Sequence, residues 1–271
     1  MSDNIKTFAG IIAKILKTDR WIFIACDGDM GEGKSCFTSQ LAKEIAKQTG
    51  TPFSYQGNMT FQRKELKTWL DGDNKGQHQK LEYSVLLADE LISMFFKRNW
   101  FDSDQIDGIE LLNKCRDRHQ CVLGNIPSYW DLDSAIFSVI TFWVHIHERG
   151  IAWVFQKDRN PFATDKWHRK ANEKTFRKSE KPYKCKGFLS EIAFEDWREQ
   201  EKIKYYAVRN KKRVKTEGQR EKEERYSTIK RQRDEMIKLA LHSIKGIKQK
   251  DLADVVGISP TAIGLIANGL R

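Results

Sequence analysis

Apolar residues come in short runs separated by helical periodicities through about residue 160. Residues 21–26 (Trp-Ile-Phe-Ile-Ala-Cys) form one continuous apolar run, the pattern of a strand buried on both faces. Residues 36–49 then place Phe37, Leu41, Ile45 and Ala46 at helical spacing. Further along, the pattern predicts a short strand over 52–55, a helix over 61–70 and a polar loop over 71–79. It continues with a strand over 83–88, a helix over 106–118, and strands over 121–124 and 139–147. Glu148-Arg149-Gly150 predicts a hairpin turn into a strand over 151–155, antiparallel to its predecessor. Strand alternating with helix is the signature of an α/β parallel sheet with helices on both faces. Near the start, residues 4–17 put Ile5, Phe8, Ile12, Ile15 and Leu16 on one face. That face predicts a helix packed on the sheet, with a membrane-surface or partner helix as the alternative.

The pattern changes after Trp197. Residues 198–234 carry 14 Lys/Arg against 7 Asp/Glu, a net +7, with few large apolar residues. They read as a long solvated helix or a basic tether. Apolar spacing returns in the last stretch. Leu252, Val256, Ile258, Ile263 and Ile266 predict a small core, with Ala253 where two helices cross and Gly257 in the turn between them. Ser259 is placed to cap the second helix, with Pro260 at its first position. Residues 236–243 have to supply a supporting helix. The division expected is 1–180, an α/β domain; 181–235, a basic and largely helical linker; and 236–271, a small all-α module.

Composition narrows the partners. The 271 residues suffice for one or two domains with a proper core. The formal net charge is +11, which suggests a polyanionic partner, nucleic acid before membrane. Cys26, Cys36, Cys115, Cys121 and Cys185 are odd in number and widely spaced, as buried thiols of a reducing compartment are. No apolar run has the length of a membrane span and no signal-peptide pattern is present, so a cytoplasmic location is expected (host cytoplasm for a viral chain).

The candidate chemistry is concentrated in residues 28–35, Gly28-Asp29-Met30-Gly31-Glu32-Gly33-Lys34-Ser35, a complete G-x-x-x-x-G-K-[ST] phosphate-binding loop. It follows a predicted strand and opens a predicted helix, so its amides and the helix N-terminus, with Cys36 in the first turn, point at an anion. Lys34 is placed to reach the β- and γ-phosphates of ATP, and the Ser35 hydroxyl to ligate Mg²⁺. Residues 85–90 (Val-Leu-Leu-Ala-Asp-Glu) are an apolar strand ending in two acids. Asp89 is the candidate Mg²⁺ ligand and Glu90 the candidate base for the attacking water. Asn125, at the tip of a neighbouring strand, is a candidate γ-phosphate sensor or a turn cap before Pro127. Arg116 and Arg118, with Arg149 as a third, are candidates for an arginine acting on the transition state in cis or from a neighbouring subunit. His145 and His147 share a strand face without further metal ligands. Trp130, Trp143, Trp153 and Trp167 read as core or interface residues.

Residues 249–268 resemble the helix-turn-helix of repressor-like DNA-binding domains, which places Ser259, Thr261, Ala262 and Asn268 toward a major groove. Residues 15–180 resemble the FtsK/HerA-like branch of P-loop ATPases, especially viral genome-packaging ATPases and zonular occludens toxin-like proteins of filamentous phages. The loop at 28–35, Asp89-Glu90, Arg116-Asp-Arg-His119 and the stretch 125–133 carry that likeness. The resemblance implies a RecA/ASCE-like P-loop NTPase fold and a ring-forming, ATP-driven nucleic-acid pump. It assigns Lys34 and Ser35 to nucleotide, Asp89 to Mg²⁺, Glu90 to base catalysis and Asn125 to sensing, although that strand tip is often Gln in the branch. The function expected is therefore Mg²⁺-dependent ATP hydrolysis by a homo-oligomeric ring that translocates or packages double-stranded DNA, with a capsid or portal-type partner. An ATP-switched replication initiator or helicase loader and a nucleotide-gated regulator are the alternatives. A small-molecule kinase leaves the C-terminal module unexplained.

Overall fold

The computed structural model describes residues 3–18, 20–72, 79–91, 118–132, 134–179, 181–243 and 248–268, and their side chains except at 3, 131, 134, 135 and 214–228. The chain divides into two units, Met1–Lys212 and Arg213–Arg271.

The first unit is an α/β fold on one eight-stranded sheet. Its strands are β1 (Asp3–Asn4), β2 (Ile22–Gly28), β3 (Met59–Thr60), β4 (Val85–Ala88), β5 (Cys121–Asn125), β6 (Phe142–Glu148), β7 (Ile151–Gln156) and β8 (Phe188–Ala193). Their spatial order is β1-β8-β7-β6-β2-β5-β4-β3. From β3 through β4, β5 and β2 to β6 every pairing is parallel. β7 is antiparallel to both β6 and β8, as the hairpin turn at 148–150 predicts for the first of these pairings. The helices are α1 (Ile5–Leu16), α2 (Lys34–Thr49), the single turn α3 (Tyr55–Asn58), α4 (Arg63–Asp71), α5 (Ser134–Val139), α6 (Arg169–Ser179) and α7 (Glu199–Ser243). Residues 199–212 of α7 belong to the first unit.

β2 is central because all seven of its residues are buried. Its side chains alternate between two cores. Ile22, Ile24 and Cys26 pack with α1 and α2, while Phe23 and Ala25 pack with α4 and α5. α1 buries Phe8, Ala9, Ile12, Ala13 and Leu16, and Asn4 caps it through the Thr7 amide at 3.0 Å. Phe8 meets Phe142 edge-on at 5.5 Å, a geometry that adds about 1 kcal/mol to the area it buries. The second core is aromatic: Tyr129, Trp153 and Trp167 lie in it, with Trp130 and Trp143 at its margin.

Several expected elements are corrected. The strand expected over 52–55 is displaced to Met59–Thr60, because Ser54 instead caps a helical turn by accepting from the Gly57 amide at 3.0 Å. The strand expected over 139–147 begins only at Phe142, since 134–139 form α5. β8 was not anticipated; its exposure alternates and only Ile192 is fully buried, which leaves little apolar signal. The basic stretch after 197 is helical, but residues 199–212 are not simply solvated: Tyr205 is completely buried and Lys212 nearly so. The helix expected over 106–118, the loop expected over 71–79 and Cys115 lie wholly or mostly outside the described residues. Cys26, Cys36, Cys121 and Cys185 are free and buried.

In the second unit, residues 213–243 of α7 are followed by α8 (Gln249–Val256) and α9 (Pro260–Ala267). Ile237, Leu252, Ala253, Ile263 and Ile266 form its core, flanked by Ala240, Leu241, Val256 and Ile258. Gly257 at φ +72° ends α8, its amide returning to the Ala253 carbonyl at 2.9 Å. The Ser259 hydroxyl caps α9 by accepting from the Ala262 amide at 3.2 Å.

Candidate nucleotide-binding site

β2 delivers its last residues directly into the glycine-rich loop at the carboxyl edge of the sheet. Gly28 has φ +140°, and a Cβ there would stand 2.6 Å from the Ile146 carbonyl oxygen, so no other residue fits. Asp29, Met30 and Gly31 form the exposed crest and Glu32 is half-buried. Gly33, at φ +101°, is the N-cap of α2, and no side chain caps this helix. Its first amides are therefore left for an anion at the positive end of the helix dipole. The Lys34 ammonium donates to the carbonyls of Gly28 at 2.6 Å and Asp29 at 2.8 Å, which holds it folded over its own loop. Cys36 is buried beside the Glu195 carbonyl, and burial pushes its thiol up to about 11, so it stays protonated at neutral pH.

The strand order β4-β5-β2 sets three polar groups against one another. Asp89, directly after β4, is only 4% exposed. Its Oδ1 accepts from the Ser35 hydroxyl at 2.9 Å and from Asn125 Nδ2 at 2.6 Å. Its Oδ2 accepts from the Tyr205 hydroxyl, and Arg209 Nε lies 3.7 Å away. Burial, with the Asp89 charge beside it, raises the Tyr205 phenol far above its usual range and keeps it a proton donor. Glu90 follows in the same turn and is half-buried.

Two buried atoms at this point, Asn125 Oδ1 and Arg209 Nε, have no hydrogen-bond partner. A hydroxyl and a buried carboxylate converge there, an all-oxygen donor set suited to a hard cation such as Mg²⁺. Ser35 and Asp89 fit that ion.

A second buried carboxylate supports the first. Asp27, at the end of β2, accepts from the Tyr129 amide at 3.0 Å and Trp143 Nε1 at 2.8 Å, and pairs with His145 Nδ1 at 2.8 Å. These bonds fix the 3-10 turn Tyr129–Asp131 and with it the chain leaving Asn125. His147 instead stacks on Trp153 at 3.8 Å. Among the described residues no group of three His, Cys, Asp or Glu side chains could hold a metal ion.

Of the arginines predicted from sequence, Arg118 lies away from the loop. Arg118 precedes β5, at the opposite edge of the sheet from the loop, and donates to Gln79 Oε1 at 2.6 Å. Arg149 pairs with Asp196 at 2.7 Å on the surface. Arg116 lies outside the described residues. In the second unit Ser259, Thr261 and Asn268 are exposed and Ala262 is half-buried. Sequence reasoning missed Asp27, Tyr205 and Arg209. The signal for the last two was available: Tyr205, Val208, Arg209 and Lys212 share one helical face. The surrounding charge hid it.

No protein-family model matches the chain. No curated protein matches it. Among solved structures, the chain is similar to the E. coli MS115-1 HORMA:CdnC:Trip13 complex, at 16% identity over 49% of this chain and 50% of that one, TM-score 0.32. It is also similar to the genome-packaging NTPase B204 of Sulfolobus turreted icosahedral virus 2, at 11% identity over 50% and 92%, TM-score 0.39. The N-terminal domain of zonular occludens toxin from Neisseria meningitidis is similar at 13% identity over 51% and 83%, TM-score 0.36. The chain thus spans half the length of the first of these.

Proposed function

We propose that this chain is a Mg²⁺-dependent ATPase that moves double-stranded DNA, as a ring of identical subunits serving a virus or mobile element. The single observation that carries the ATPase reading is the Ser35–Asp89–Asn125 cluster closed against a complete phosphate-binding loop. Lys34 exchanges its two loop carbonyls for phosphate oxygens, a trade of neutral acceptors for charged ones. Uncapped amides of α2 hold the remaining phosphate charge. Ser35 and Asp89 would hold Mg²⁺, which when bound would offset the charge of the transferred phosphoryl group. Glu90, one residue beyond Asp89, takes the proton of the attacking water. Asn125, hydrogen-bonded to Asp89, serves in this reading as the sensor of the terminal phosphate.

The DNA reading is supported by the net charge of +11 and by the second unit. There a capped helix follows a glycine turn, and in this reading Ser259, Thr261, Ala262 and Asn268 face the duplex, as in a helix-turn-helix. An arginine from a neighbouring subunit completes the site, with Arg116 and Arg118 as the candidates and Arg149 a third. A capsid or portal-type partner and action in the host cytoplasm complete this reading. Among the described residues no helix is long and apolar enough to cross a membrane.

The test is steady-state phosphate release on duplexes of increasing length. Stimulation that grows with length and disappears in Glu90→Gln supports a translocating motor. Hydrolysis indifferent to duplex DNA rejects the motor and leaves an ATP switch.

A further inference from the structure

The first turns of α7 reach the centre of the nucleotide site, although they lie far from the phosphate-binding loop and Asp89 in sequence. Tyr205 is completely buried, and its hydroxyl bonds Asp89, which also accepts from the Ser35 hydroxyl. These are the two groups that fit the metal. Arg209 brings a positive charge to 3.7 Å of the same carboxylate oxygen, held by the rings of Tyr205 and Tyr206 at 5.9 and 5.6 Å. The segment is firmly seated on the first unit. The Tyr205 ring meets Tyr55 edge-on at 5.5 Å and Trp197 at 4.9 Å. One turn and more further on, Lys212 donates to the Met59 carbonyl and pairs with Glu65 at 3.0 Å.

We infer that residues 199–212 form a latch on the metal-binding carboxylate, and that Tyr205 and Arg209 are positioning residues that a magnesium–nucleotide complex displaces. This inference rests on the ATPase reading above. Its physical basis is competition for the same acceptors. A carboxylate as buried as Asp89 needs compensation, and here three donors and one guanidinium provide it. A divalent cation between Ser35 and Asp89 draws on the same carboxylate whose Oδ2 Tyr205 now bonds. It also stands close to Arg209, and like charges repel in a site shielded from water. Both effects drive the same helical face away from Asp89. Binding of nucleotide with metal is thereby coupled to release of this segment, and the unliganded site is kept closed.

The test measures metal binding and helix protection on the full chain, not turnover. Mg²⁺ is titrated by calorimetry in the presence of a saturating non-hydrolysable ATP analogue, for the unaltered chain, Tyr205→Phe, Arg209→Ala and Lys34→Ala. Hydrogen exchange of residues 199–212 is followed in parallel. Tyr205→Phe keeps the ring packing and deletes only the competing hydroxyl, so the Mg²⁺ concentration at half-saturation falls roughly tenfold. Arg209→Ala lowers it in the same direction. In the unaltered chain, Mg²⁺ with the analogue accelerates exchange in 199–212, whereas the analogue alone does not. An unchanged or increased Mg²⁺ requirement in Tyr205→Phe, with 199–212 equally protected throughout, overturns the latch. If the unaltered chain binds no nucleotide in a Lys34-dependent way, the ATPase reading and the latch fail together. Lys34-dependent binding with no effect of Tyr205→Phe removes the latch alone.

Discussion

The Ser35 hydroxyl donates to Asp89 Oδ1 at 2.9 Å across 54 positions of sequence. Only the parallel order β4-β5-β2 brings the start of α2 and the tip of β4 this close. Ser35→Ala removes one donor to Asp89 and the hydroxyl that fits the metal. Nucleotide affinity measured without metal stays near its original value, while the Mg²⁺-dependent increase is lost by tenfold or more. Fold stability drops by only about 1 kcal/mol, one hydrogen bond. Paired binding titrations with and without Mg²⁺ check this, and equal loss in both contradicts the assignment.

Gly28 tests the geometry of the loop independently of any ligand. A Cβ there meets the Ile146 carbonyl at 2.6 Å, and backbone cannot swing aside as a side chain can. The positive φ adds its own strain. Gly28→Ala is expected to cost about 3 kcal/mol and lower Tm by roughly 6–12 °C. Gly31→Ala, where a Cβ meets nothing within 4 Å, costs less and serves as the comparison, its φ of +93° being the only penalty. Similar losses at both positions contradict the close approach of β2 and β6.

Lys212 anchors residues 199–212 through the Met59 carbonyl and Glu65. Lys212→Ala strips a buried acceptor and a half-buried carboxylate of their shared cation. The expected loss is about 1–3 kcal/mol in chemical denaturation. A double-mutant cycle with Glu65→Gln isolates a coupling of roughly 1 kcal/mol. Strict additivity means that the two side chains do not meet.

Tyr55 gives the first unit an alkaline limit. Burial pushes its phenol up to about 12 from the ordinary value of 10, because the phenolate is costly where the rings of Tyr205 and Phe53 pack against it. The neutral form is favoured in the folded state, so its contribution is complete below pH 10 and is lost as pH rises toward 12. The stability advantage of the unaltered chain over Tyr55→Phe is therefore constant from pH 7 to 9. It shrinks by about 2–3 kcal/mol by pH 12, as read from urea midpoints. A pH-independent difference contradicts the burial argument.

Much of this arrangement was legible from residue order. The run at 21–26 announced β2, since only a strand covered on both faces is apolar at every position. The glycines and Lys34 announced the loop, because their spacing answers to a phosphate chain. Asp89 was readable as an acid at the end of an apolar strand. What pattern could not reach was the third contributor to the site. Tyr205 and Arg209 sit among lysines and glutamates, and the 3.6-residue face they share with Val208 and Lys212 is swamped by solvated charge. β8 was hidden for a related reason: half of its side chains face water, so its alternation reads as loop. Asp27 escaped because its partners Tyr129, Trp143 and His145 lie more than a hundred positions away. The displaced strand at 52–55 shows a local capping serine overriding a short apolar run.

The central claim is that this loop and this carboxylate hydrolyse ATP, and phosphate release by the purified full chain tests it most directly. With Mg²⁺ present, the unaltered chain releases phosphate from ATP at a steady rate. Chelation of the metal abolishes release, Lys34→Ala abolishes both binding and release, and Glu90→Gln binds ATP normally yet turns over at least a hundredfold more slowly. Release that persists undiminished in Lys34→Ala or Glu90→Gln, or no Mg²⁺-dependent release from the unaltered chain, contradicts the account.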